Sequence, residues 1–475
     1  LASDAMAERP EARQAAAAAR ATVSTAADVV RVALPRGPRV LVLRDRAAPA
    51  VSIVALWSGG VRFEDARTNG ATTLLAALLP RATRTRDARR LAADLADVGG
   101  TLVGVAGRDE LGLRLEVLAG NWERGLELVA DCALHPALAD DDVDRARRDA
   151  IDRARLREDD ATTAAGRLFA ETLFAGHPYR LPVGGTADSL SGLSRGRLAE
   201  HYRRLYGASN LTIAIVGDVD VERAVARVAA LFADAPAIGQ APATKPITVV
   251  SPSVVAAPSQ EPPPPPASTE VFRLAAHDDA HIVLGFPGVA LADPDRPAVE
   301  LLARVLGGPL ARAVGAADVV ATTWSAVDGG AFAIDLDGAA GGLDATVPLA
   351  REALARAVSE GVTQAALDRA RRDAVAAHAR GLERRADVAL ALARDEAFGL
   401  SPGATRARPA AFAAVTPAVL SLVARRLFDP AHEIVAAVRP PAPAAVAKAD
   451  AKRPAAAPRA PSSPSASGGR RAPAP

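Results

Sequence analysis

The heptad Asp-Arg-Ala-Arg-Arg-Asp-Ala occupies residues 144–150 and returns, letter for letter, at residues 368–374, preceded in each place by an aliphatic residue, Val143 or Leu367. Alone, seven residues in an Arg/Ala-biased chain recur easily by chance. A second correspondence lies at nearly the same offset. SRGRLAEHYRRLYGASNLTIAIVG (194–217) aligns with TPAVLSLVARRLFDPAHEIVAAV (416–438), each reading as helix, turn and closing strand. Two signals at nearly one offset indicate an internal duplication.

Within the first copy, about 29–235, short branched-apolar runs between turn signals predict strands at Arg39–Leu43, Val51–Trp57, Thr101–Val105, Leu111–Val117 and Leu211–Val216. Helical periodicity predicts helices over 70–79, 86–98, Trp122–Leu134, Asp141–Arg157, Thr163–Leu173 and 220–232. Antiparallel strand patterns followed by grouped helices indicate an α+β class: two homologous α/β sandwich domains, each a mostly antiparallel sheet packed by helices. The second copy spans about 270–439. Between them, residues 236–269 contain Pro262 to Pro266 and read as a Pro-rich linker. Residues 1–28 read as a weakly ordered lead-in. Residues 440–475, rich in Pro, Ala, Ser and Arg, have too little apolar surface to offset ordering entropy and read as a disordered tail.

Composition excludes several function classes. The tail carries six basic residues against Asp450, so the formal charge of +2 leaves the rest slightly acidic, and no nucleic-acid footprint is expected. One cysteine, Cys132, excludes an intramolecular disulfide and a thiolate metal cluster. No apolar run reaches the roughly 18 residues of a membrane span. Leu1 in place of Met fits a cleaved export signal or a shortened chain.

Several segments then resemble the insulinase/pitrilysin (inverzincin) family of metallopeptidases: Gly60 to Glu64 (GVRFE), Gly99-Gly100-Thr101, HPYRLPVGGTADSL at 177–190, NLTIAIVGD at 210–218, HIVLGFPG at 281–288 and EGVTQAALDRAR at 360–371. The resemblance covers roughly residues 29–439 and implies two homologous domains joined by a linker. It also implies a zinc site built on His-x-x-Glu-His, in which residues four apart share a helix face and grip one ion while the Glu activates water. Within GATTLLAALLP (70–80) those positions read Thr73, Leu74, Leu75, Ala76 and Ala77, so both imidazoles and the Glu are replaced. The family's third ligand falls at Asp152 or Arg153. A partner-subunit Arg that grips substrate corresponds to Arg312, but the Tyr that accompanies it has no counterpart, since the last tyrosine is Tyr206.

Other chemistry finds little support. His277 and His281 are four apart, but His281 opens an extended run, which separates them by about 13 Å. His177 precedes Pro178 in a loop the resemblance makes structural, His135 before Pro136 reads as a helix stop, and His201, His378 and His432 have no neighbour at ligand spacing. The glycine runs lack a following Lys-Ser/Thr. The Arg-rich helices at 144–157 and 369–385 interleave acids and read as ion-paired solvated faces.

The resulting expectation is a catalytically inactive homologue with zinc absent, a structural or peptide-binding partner of an active zinc peptidase subunit. It would hold a peptide or unfolded polypeptide by strand addition, as a hetero-oligomer with an active family member or as a homodimer. The alternatives are an active metalloendopeptidase with displaced ligands drawn from Glu64, Asp149 and Asp152, and a scaffold subunit of a larger complex. The family's frequent use in the bacterial envelope leans the expected compartment toward periplasm or export.

Overall fold

The computed structural model describes residues 28–35, 37–235, 267–274, 280–315, 319–337 and 343–439. The lead-in before Asp28, the linker through Pro266, the tail from Pro440 and His277 lie outside the described residues.

The first copy runs β1 (Val29–Ala33), β2 (Arg39–Arg44), β3 (Ala50–Ser58), α1 (Ala71–Leu78), α2 (Ala88–Asp97), β4 (Thr101–Ala106), β5 (Glu110–Leu118), α3 (Trp122–Leu134), α4 (Asp140–Asp159), α5 (Ala161–Leu173), α6 (Ala187–Ser191), α7 (Arg195–Leu205), β6 (Leu211–Gly217) and α8 (Val221–Leu231). The second runs β7 (Thr269–Leu274), β8 (His281–Gly288), α9 (Arg296–Val314), β9 (Val319–Ser325), β10 (Gly330–Asp337), α10 (Leu343–Glu360), α11 (Gln364–Gly381), α12 (Arg385–Ala397), α13 (Arg408–Ala414), α14 (Pro417–Leu427) and β11 (Ile434–Arg439). The sheets order as β1-β2-β6-β3-β5-β4 and β7-β11-β8-β10-β9, so the second repeats the first without β1. Pairing is antiparallel except for β2 with β6 and β7 with β11, the same position in each copy.

Sequence reading overlooked β1, whose five residues pair with β2. It also set the linker one residue too long. The amides of Ser268 and Thr269 already donate to the carbonyls of Ala431 and Glu433, which starts β7 at Thr269.

The repeated heptad has a structural cause. Arg147 pairs with Asp144 at 2.7 Å and donates to the Leu193 carbonyl, while Arg371 pairs with Asp368 at 2.7 Å and donates to the Phe412 and Val415 carbonyls. Leu193 and Val415 each precede the N-cap of the next long helix, Ser194 for α7 and Thr416 for α14. In both copies one arginine thus ties the heptad helix to the start of the helix that leads into the last strand. Val143 or Leu367 and Ala150 or Ala374 bury the other face.

The copies are interlocked rather than merely apposed. β3 and β6 are buried along almost their whole length, which requires cover on both faces. Ile53, Ala55 and Trp57 point into the first copy's own core, whereas Val54 and Leu56 meet Ala389, Leu392 and Ala393 of α12, from the second copy. Reciprocally, α5 of the first copy covers the second sheet, with Phe169 and Leu173 against Val283, Ile434 and Ala436. Gly285 makes room for this: a Cβ there would lie 2.4 Å from the Phe169 ring. Ion pairs flank α12, with Glu396 held by Arg31 at 2.7 Å and Arg385 by Asp45 at 2.8 Å, and Arg394 pairs with Glu110.

Candidate functional site

The GVRFE segment ends in a carboxylate that organises α1. Glu64 is buried, and its Oε1 accepts from the Thr72 amide at 2.8 Å while its Oε2 accepts from the Gly70 amide at 2.9 Å and Asn69 Nδ2 at 3.0 Å. A side chain thereby satisfies amides that a helix start leaves unpaired. Burial pushes the Glu64 carboxyl up, against the pull of these hydrogen bonds. Gly70 makes the turn into the helix at φ 92, with the backbone of Gly185 close beside it.

On α1, the half-buried Thr73 donates its hydroxyl to the Val183 carbonyl at 2.7 Å. Ala76 is 7% exposed, and Ala77 faces solvent. Beneath the helix, β4 passes so closely that a Cβ on Gly104 would lie 1.8 Å from the Ala76 carbonyl oxygen. α4 packs against α1 through the face that carries Val143, Ala150 and Ala154. At 100° per residue Arg153 flanks that face and Asp152 lies opposite it. Both are exposed, and Asp152 is 3.8 Å from Arg155. The residues present do not fit a zinc ion. Thr73, Ala76 and Ala77 bring no imidazole or carboxylate, and among the described residues no three His, Cys, Asp or Glu side chains converge as a metal set. Nor do Glu64, Asp149 and Asp152 meet: the first is a buried cap, and the others lie on the solvent side of α4. Arg312 sits exposed in the last turn of α9.

A polar junction joins the copies nearby. The β4–β5 hairpin loop carries Arg108 and Asp109, and the equivalent β9–β10 loop carries Val327 and Asp328. The two loops touch, the Val327 amide donating to Asp109 Oδ2 at 3.0 Å. Arg62 makes a two-pronged pair with Asp328, one arm at 2.6 Å, and His177 Nε2 lies 3.3 Å from the same carboxylate. The Tyr179 hydroxyl donates to Asp109 and accepts from the Asp328 amide at 3.3 Å. Burial raises both carboxyls. It prevails at Asp109, whereas at Asp328 the His177 hydrogen bond and the Arg62 charge outweigh it and leave the group below its ordinary value. Sequence reading placed His177 and Tyr179 in a structural loop but missed Asp109 and Asp328. The duplication was the available signal, since it assigns both hairpins to equivalent places.

Two cavities open around this junction. The larger, about 550 Å³, lies between the hairpins and helices α11 and α12, and takes in Ala106 at the end of β4 and Trp324 and Ser325 at the end of β9. The smaller, about 290 Å³, lies among α4, α5 and the 180–185 loop, beside the Val183 carbonyl that holds Thr73. Arg108 lines both, its guanidinium 4.1 Å over the Trp324 ring and donating to the Tyr179 carbonyl. Arg312 lines neither. β4 and β9 are the terminal strands of their sheets, and each exposes a valine, Val103 and Val320.

The profile described as Insulinase (Peptidase family M16) matches residues 39–187, and that described as Peptidase M16 inactive domain matches residues 192–373. An uncharacterized zinc protease of Mycobacterium leprae is 35% identical over 203 residues, 42% of this chain and 45% of its own. The chain spans about half the length of the curated relatives it matches. Among solved structures, the peptidase M16 inactive domain from Pseudomonas fluorescens superposes with a TM-score of 0.75 at 21% identity, over 87% of this chain and 98% of that one. A chain of complex III from Candida albicans superposes with a TM-score of 0.67 at 17% identity, over 85% and 94%. These two likenesses concern the fold.

Proposed function

Because the chain belongs to the insulinase (M16) peptidase family yet carries Thr73, Ala76 and Ala77 where that family's chemistry needs two imidazoles and a carboxylate, we propose that it is a non-catalytic, peptide-holding member that binds no zinc. One observation carries the positive half of this reading: the edges β4 and β9, unpaired among the described residues, both end at the 550 Å³ cavity between the copies. An unpaired edge is a template for another strand, and main-chain hydrogen bonds along it supply affinity without chemistry. An extended peptide or unfolded segment laid along β4 would pass α1, whose groups can neither activate water nor hold a metal. In this reading the chain works beside a catalytically complete family member. The fold it shares with a chain of complex III supports a place in an assembly.

The relatives named as zinc proteases favour the other reading, an active metallopeptidase. Elemental analysis of purified protein, beside cleavage and binding assays on one mixed peptide library, decides between them. Binding without zinc or cleavage supports the proposal. Stoichiometric zinc with chelator-sensitive cleavage would overturn it.

A further inference from the structure

Five arginines, Arg108, Arg157, Arg167, Arg180 and Arg273, line the 290 Å³ cavity, and Glu158 is the one carboxylate among its described lining residues. Glu158 is already engaged: Arg167 holds it at 3.3 Å while also pairing with Glu171 at 2.7 Å. The other four have no carboxylate within ion-pair distance among the described residues. Arg108 rests on Trp324 and the Tyr179 carbonyl, and Arg157 reaches only the Gly184 carbonyl at 3.5 Å. Arg147, Arg371 and Arg394, by contrast, pair with acids one turn away or across the junction. Gly184 leaves room for the exposed Arg157 head, since a Cβ there would lie 2.4 Å from its guanidinium. The four arginines come from different elements, the β4–β5 hairpin, α4, the 180–185 loop and β7, and line one space of about 290 Å³, with Arg157, Arg180 and Arg273 exposed.

Guanidiniums recognise carboxylates through paired, charge-assisted hydrogen bonds. Arg108 also lines the larger cavity, where the β4 and β9 edges end. We propose that the smaller cavity receives acidic side chains of the bound peptide, so that the chain selects extended segments rich in Asp and Glu. This rests on the peptide-holding reading and names its substrate class.

The test is fluorescence anisotropy on the full chain with three labelled peptides of one length, differing only in Glu, Gln or Lys at three positions, at low and moderate salt. The Glu peptide is expected to bind about tenfold or more tighter than the Gln peptide, with the advantage shrinking as salt rises. The Arg157→Glu/Arg180→Glu variant, checked by its thermal midpoint, is expected to lose that advantage and keep its affinity for the Gln peptide. Equal affinity for Glu and Gln peptides overturns this inference and leaves the peptide-holding reading intact. No binding of any peptide overturns both. Binding of inorganic phosphate without any peptide shows a small-anion site instead and likewise overturns the proposal.

Discussion

Gly104→Ala tests how tightly α1 is seated on the β4 edge. The added Cβ would lie 1.8 Å from the Ala76 carbonyl oxygen, 2.5 Å from its carbon and 2.9 Å from its Cα, where ordinary contact begins at 3.4 Å. All three are backbone atoms, so no rotamer change relieves the overlap. Either α1 or β4 must move. α1 is pinned by the buried Leu74, Leu75 and Leu78 and by the Glu64 cap, and β4 by its ladder with β5. Gly104 does not have a positive φ, so the effect is steric, not conformational. Overpacking against rigid backbone sets the cost at about 3 kcal/mol, equivalent to a fall of about 1 M in urea midpoint for a slope of about 3 kcal/mol per M. Urea unfolding followed by tryptophan fluorescence reads it through Trp57, which shares a core with α1. Gly307→Ala is the control. It lies inside α9 with nothing within 4 Å of the new Cβ, and is expected to stabilise by about 1 kcal/mol through helix propensity. A Gly104→Ala midpoint equal to wild type would refute the close approach of α1 and β4.

At the junction, Asp328→Leu strands Arg62 and His177 and is expected to cost about 3–5 kcal/mol, whereas Arg62→Met/Asp328→Leu recovers the Arg62 share of it; a double-mutant cycle in urea with Arg62→Met checks this, and an Asp328→Leu cost below about 1 kcal/mol would refute a buried pair. His201 is 3% exposed, with no hydrogen-bond partner for either ring nitrogen among the described residues, and burial, aided by the Arg204 charge, lowers it to about 4. The folded state therefore binds fewer protons, so this contribution is complete above the unfolded value near 6.5 and is lost as pH falls toward 4, about 3 kcal/mol in all. In His201→Phe the stability slope between pH 6.5 and 4 should flatten, and an unchanged slope assigns it elsewhere. Thr73→His/Ala76→Glu/Ala77→His is expected to stay without stoichiometric zinc, to gain it when Arg153→Glu is added, and not when Asp152→Glu is added, because Asp152 points away from α1; uptake by the Asp152→Glu combination, read by elemental analysis, would reverse that assignment.

The sequence by itself determined the duplication, most strand and helix positions, the family and the side chains that α1 carries at 73, 76 and 77. These are local properties: periodicity of burial, turn chemistry and the identity of side chains at i and i+4. The apolar runs of β3 and β6 mark them as strands in the sequence. They could not say that both faces are covered, nor that the second cover is α12, from more than 160 residues away in the chain. Tertiary structure alone decided that exchange of helices, the meeting of the two hairpins at Asp109 and Asp328, and the lining of one cavity by four arginines from four elements. Each depends on which surfaces come to lie together in space, and side-chain periodicity along one segment carries no information about the partner that segment will meet.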